Sequence, residues 1–268
     1  MRIARIASRG VWLLAAVVVV AVILARADGH GVPVDVGSAV RVVGATDGSA
    51  ARSTERVPYG DALRLEAAYV VRDGVLVDAN LAPEPHRAAW DIARAIFPPS
   101  VLTQVRQLDV VTDGPRGTLA MVHRSGVATD QWIVSIDTAE PHRVLRESLV
   151  HELAHVLTLR SEDLSTSGDC DGVRLALGCA RDGSALAAWA EAFWPDPTTP
   201  ATYDPTAFVS TYAATAVQED LAESFLAYVN GERGDGPIVA AKLAFFDTRP
   251  ELAAAAADVR QRLSAASS

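Results

Sequence analysis

His151-Glu152-Leu153-Ala154-His155 is the stretch from which the rest of the chain can be read. Two histidines four positions apart fall on one face of an α-helix, about one turn from each other, so both imidazoles can reach one Zn²⁺. The glutamate after the first histidine points beside the metal rather than at it. There it can take a proton from a zinc-bound water, the arrangement for metal-assisted hydrolysis. From Val144 to Leu159 apolar residues occupy most of the circumference, which predicts a helix packed on several sides. Asp137 or Thr138 is expected to cap its N-terminus, with Pro141 in the first turn. Histidines and a glutamate inside such a helix are costly to bury without partners. The bland alternative is two hydrogen-bonded core histidines beside a partly exposed glutamate.

A mononuclear catalytic zinc site needs a third protein ligand and leaves its fourth position to water. The form of the motif with a third histidine requires Gly and His where this chain has Thr158 and Ser161, so a carboxylate is the remaining common choice. The best candidates lie in the stretch from Tyr212 to Phe225. Thr215 and Gln218 have the spacing of a capping box, which predicts a helix from about Ala216, and Asn230-Gly231 supply its stop. Glu219 and Glu223 share one face of that helix. Such a pair suits a site in which one carboxylate binds the metal and the other holds a ligand histidine through its second ring nitrogen. Asp220 could bind in place of Glu219, but from about 100° further round the helix.

These two patches resemble the gluzincin metallopeptidases. The second, Glu219-Asp220-Leu221-Ala222-Glu223 with Tyr212 seven residues before it, is most similar to the catalytic domain of anthrax lethal factor and related secreted bacterial peptidases. The resemblance implies His151, His155 and Glu219 as zinc ligands, Glu152 as general base and Glu223 as the partner of a ligand histidine. It also implies Tyr212 as hydrogen-bond donor to the oxyanion, although a tyrosine is as readily a half-buried packing residue with a wet hydroxyl. The implied fold is an α+β, zincin-like domain, with a small mixed sheet packed on the catalytic helix and a mainly helical C-terminal half. In such peptidases an edge strand lies beside the metal and pairs with an extended peptide, here a strand somewhere in residues 118–137. The implied activity is zinc-dependent hydrolysis of a peptide bond in a peptide or protein substrate. A surface protein that binds zinc without turnover, or a hydrolase of a non-peptide cell-wall amide, would carry the same residues. His30, His86, His123 and His142 have no partner at ligand spacing and read as surface or packing residues.

The N-terminus points out of the cytoplasm. Arg2, Arg5 and Arg9 precede an uninterrupted apolar run from Val11 to Ala25, closed by Arg26. Residues 1–27 therefore read as a signal peptide or an N-terminal membrane anchor. Cys170 and Cys179 sit at the spacing of a local disulfide, which suits an oxidising, extracytoplasmic setting. Formal charge is −9, and −13 without residues 1–27, which hold four arginines and no acid. Such a body has no electrostatic reason to bind nucleic acid or an anionic membrane surface.

Residues 28–58 lack helical periodicity and read as a stalk, leaving residues 59–268 as one catalytic domain. Within it, Pro85 to Phe97 predicts a helix stopped by Pro98-Pro99. Strand patterns follow at Gln107 to Thr112, Leu119 to Arg124 and Gln131 to Asp137. Ser184 to Trp194 predicts a helix whose aromatics belong to the core, and the alanine-rich segment after Pro250 a terminal helix.

Overall fold

The computed structural model describes residues 41–43, 55, 57, 59 and 63–265, apart from 115, 116, 127–129, 140 and 167. The segment expected to be a signal peptide or anchor lies outside these residues, as does His30. Among the described residues no helix is long and apolar enough to cross a membrane.

The chain is α+β. Its main sheet is built from β1 (Arg41–Val43), β2 (Arg64–Arg72), β4 (Val105–Thr112), β5 (Ala120–Arg124) and β6 (Trp132–Asp137), in the order β1-β2-β4-β6-β5. The short β3 (Val75–Leu76) turns back onto β2. The sheet is mixed: β1 runs parallel to β2 and β4 parallel to β6, while the β2–β4 and β5–β6 pairs are antiparallel. β5 is thus an antiparallel edge strand, within the interval that the sequence marks for one.

Both faces of the central strands are buried, and the period of two sorts their side chains. Leu108 and Val110 of β4 and Trp132, Val134 and Ile136 of β6 join the main core with the helices. On the other face lie Gln107, Asp109, Val111 and Ser135, all buried. That face is covered by the segment leading into the sheet. Tyr59 donates its hydroxyl to Asp109 at 2.6 Å and lies 2.7 Å from Ser135 Oγ, while Leu63 packs on Val111 and Met121. Glu55 exchanges hydrogen bonds with Gln107. The segment expected to be a stalk therefore contributes strand β1 and side chains that pack on the sheet.

Helices α1 (Glu84–Ile96), α2 (Pro99–Leu102), α3 (His142–Thr158), α4 (Ala185–Phe193), α5 (Val217–Asn230), α6 (Pro237–Asp247) and α7 (Pro250–Ala265) pack on the first face and on one another. α1 ends where the Pro98-Pro99 pair requires it. Ser184 caps α4 by accepting from Ala187 N. α5 stops at Gly231, whose φ of 69° is in the left-handed region that glycine enters without penalty. Two expected caps do not form. α3 starts at His142 after Pro141, and Asp137 instead ends β6 by accepting from Ala139 N and Asp113 N. Thr215, expected to open a capping box, donates its hydroxyl to Tyr212 O and closes a short 3₁₀ turn ahead of α5. Helix α6 had no counterpart in the sequence reading.

Candidate functional site

α3 runs between the edge strand and α5, in contact with both. Its burial explains its composition: Leu145, Leu149, Val150, Leu153, Ala154 and Val156 are all at most 2% exposed. His151, Glu152 and His155 are buried among them, on the side facing β5 and the first turns of α5. That packing brings together residues 64 or more positions apart. Glu219 Oε2 lies 3.1 Å from His151 Nε2 and 3.3 Å from His155 Nε2, and the two Nε2 atoms are 3.1 Å apart. His151, His155 and Glu219 form a buried group that could hold a metal ion.

The surrounding residues orient these three. Glu223, one turn beyond Glu219, puts Oε1 2.8 Å from His151 Nδ1, and Ser210 Oγ donates to Glu223 Oε2 at 2.6 Å. With Nδ1 turned to Glu223, His151 directs its Nε2 at Glu219 and His155. His155 Nδ1 is buried and makes no hydrogen bond. Glu152, rotated away from the group, accepts the backbone N–H of Val122 on β5 at 3.0 Å. Tyr212 stacks on His151 with ring centroids 5.6 Å apart and hydrogen-bonds Glu219.

Three carboxylates and two imidazoles with little water around them make a strong field. Burial pushes the Glu152 carboxyl up, while the two histidines pull it back only in part. Burial also pushes Glu219 up, but His155 and the hydrogen bonds from both histidines prevail and hold it well below the usual carboxylate range. At His151 burial opposes a charge, yet its bonds to Glu219 and Glu223 raise its proton affinity well above the ordinary value. The pull on a proton here is the pull that a cation between the same atoms would feel. Burial, and then Glu219, raise the Tyr212 phenol, so it stays protonated and available as a donor.

Asp220, the alternative ligand, points away from the group. It accepts the indole N–H groups of Trp189 and Trp194 at 2.9 and 2.8 Å and pairs with Lys242 at 2.7 Å. His86 meets the Tyr69 hydroxyl and His142 is exposed, as expected of packing and surface residues. His123 packs edge-on against Tyr59 and lines the cleft, a place that its position in the sequence did not mark. Cys170 and Cys179 are joined in a disulfide with Cα atoms 5.6 Å apart, consistent with an extracytoplasmic location.

The group lies on the wall of a cleft of about 510 Å³ between β5, the hairpin closed by the disulfide and the loop of Pro197 to Pro200. Glu152, His155, Tyr212 and Glu219 all line it. Ser210 and the Val122 amide escaped the sequence reading, because nothing in their spacing links them to the glutamates they hold. Compared with protein-family models, curated proteins and solved structures, the chain matches none of them.

Proposed function

We propose that this protein is a zinc-dependent hydrolase of peptide bonds, of the gluzincin type that its motifs resemble, with a zincin-like arrangement of sheet and helices. The observation that carries the proposal is the triangle of donor atoms, with sides of 3.1, 3.1 and 3.3 Å. Donors about 2.0–2.1 Å from a tetrahedral zinc ion stand roughly 3.3–3.4 Å apart, so two imidazoles and a carboxylate at this spacing suit that ion. Among the described residues the set stops at three, and His155 and Glu219 line a cleft, which leaves room for water and a substrate carbonyl.

When bound, zinc supplies Lewis acidity toward a carbonyl oxygen and makes water acidic enough to attack near neutral pH. The chain's own residues do the rest. Glu152 is buried, and its raised pKa matches a group that accepts the proton of the attacking water and returns it to the leaving amine. The Val122 N–H fixes one of its oxygens, which limits how the carboxylate can turn on the cleft wall. Tyr212 can donate its proton to the oxygen that gains charge as the carbonyl carbon becomes tetrahedral. Glu223 and Ser210 keep His151 in the tautomer that offers Nε2. The disulfide supports action outside the cytoplasm.

Chelator-sensitive cleavage of a broad peptide library, with peptidoglycan fragments added as non-peptide amides, tests this. Peptide cleavage that stops with chelator and returns with zinc is the expected result. Cleavage of the wall fragments alone would move the substrate to a cell-wall amide. No cleavage of either by zinc-loaded protein would leave a zinc-binding protein without turnover.

A further inference from the structure

The wall of the cleft facing β5 is held unusually firmly for a loop. β8 (Arg174–Leu175) and β9 (Gly178–Ala180) form a hairpin in which Arg174 lies opposite Cys179, itself bonded to Cys170. β9 also pairs with β7 (Leu164–Ser165), and Gly178 approaches so closely that a Cβ there would lie 2.6 Å from Ser165 O. Val173, just before the hairpin, is buried. The backbone of so constrained a hairpin has little ordering left to lose on binding.

The charged side chains that line the cleft are all committed but one. Glu152 and Glu219 belong to the histidine group. Glu55 accepts from Ser125 Oγ and Gly126 N. Arg124 lies over the Trp132 ring, donates to Leu159 O and is 3.8 Å from Asp130. Arg174 has no hydrogen-bond or ion-pair partner among the described residues, and it is exposed to the cleft. The cleft that it shares is also lined by apolar residues, among them Leu159, Leu175, Leu177, Pro197 and Pro200. In a protein with net charge −9, this is the one place in the cleft where an acidic group meets an unopposed cation.

We propose that Arg174 is the specificity-determining residue of the cleft and selects a substrate carboxylate close to an apolar residue. This deepens the peptidase reading and rests on it for the peptide nature of the substrate. The guanidinium fork matches a carboxylate through two parallel N–H bonds, whether the carboxylate is an acidic side chain or a free C-terminus. Because the pair stays partly in water, the preference should be modest, about fivefold in affinity.

Binding, rather than cleavage, tests it. Zinc-loaded E152Q protein is titrated into fluorescent leucine-containing peptides, read by anisotropy, with Asp or Asn scanned along the chain and the C-terminus free or amidated. The carboxylate member of at least one pair should bind about fivefold more tightly. R174Q in the same background should abolish that preference, and R174E should reverse it. The Asp/Asn pairs and the acid/amide pairs identify which carboxylate is read. Equal binding of all pairs, a preference that survives R174Q, or no peptide bound overturns the proposal. Peptide bound by E152Q but uncut by the wild type would contradict hydrolysis alone and leave the carboxylate preference standing.

Discussion

Glu223 Oε1 stands 2.8 Å from His151 Nδ1, while its other oxygen takes the Ser210 hydroxyl at 2.6 Å. The carboxylate is thereby held between a serine before α5 and a histidine on α3, and it favours a proton on His151 Nδ1. E223Q would leave only a neutral amide oxygen to accept the His151 N–H, and E223A would remove the acceptor. Either should weaken metal binding by about 10–100-fold while His155 and Glu219 remain in place. S210A should weaken it less. Competition against a chromogenic chelator measures this, and affinities equal to wild type would remove Glu223 from the site.

Lys242, the sole lysine of the chain, is 1% exposed against an Asp220 with no exposure at all. Its ammonium also reaches Ala207 O at 2.7 Å and lies 4.0 Å from the centre of the Phe208 ring. Burial pulls both partners toward their neutral forms, so the pair adds little net stability over an apolar replacement of both. Breaking it is another matter. K242M leaves a buried carboxylate beside Glu219, supported only by two indoles, and should cost about 3–5 kcal/mol in denaturant unfolding. A loss under 1 kcal/mol would mean that water reaches Asp220.

Asp109 lies under Tyr59 and Gln107, and burial pushes its carboxyl up to about 6 despite the hydrogen bonds they donate. The folded protein holds this proton more tightly than the unfolded chain, where the pKa is near the ordinary 3.8. Its contribution is therefore fully present below about pH 4 and is lost as pH rises through about 6. The gap of about two units corresponds to ~3 kcal/mol. Stability of D109N relative to wild type should rise by up to that amount between pH 4 and pH 7. A difference that does not change with pH would show that Asp109 titrates normally.

The Cys170–Cys179 bridge spans nine positions. In the chain-entropy model, C170S/C179S should lose about 2–3 kcal/mol. Thermal unfolding with and without reductant measures it, and the double variant should show no response to reductant.

The parts legible in the sequence are those written in short-range patterns. The four-residue step from His151 to His155 and from Glu219 to Glu223, the three strand-like runs between 107 and 137, and the stops at Pro98-Pro99 and Gly231 depend on neighbours within a turn or two. Thr215 misled for an equally local reason: its hydroxyl, expected to accept the Gln218 N–H, donates instead to Tyr212 O in the preceding turn. The long-range partners were not legible. Ser210 and the Val122 amide have no periodicity connecting them to the motif, and only the packing of α3 against α5 and β5 makes them neighbours. The short helix with Lys242 was missed because its apolar residues surround it, so no stripe marks a buried face. Asp220 and Glu219 differ by one position along the chain, yet packing sends one to the tryptophans and the other to the histidines.

In the proposed reaction Glu152 moves the proton while His151, His155 and Glu219 hold the metal. The most direct measurement pairs metal content with turnover of one cleaved peptide for wild type, E152Q and E219A. The account predicts that E152Q keeps stoichiometric zinc and loses nearly all turnover, whereas E219A loses zinc itself. Undiminished turnover by E152Q, or full zinc occupancy in E219A, would contradict it.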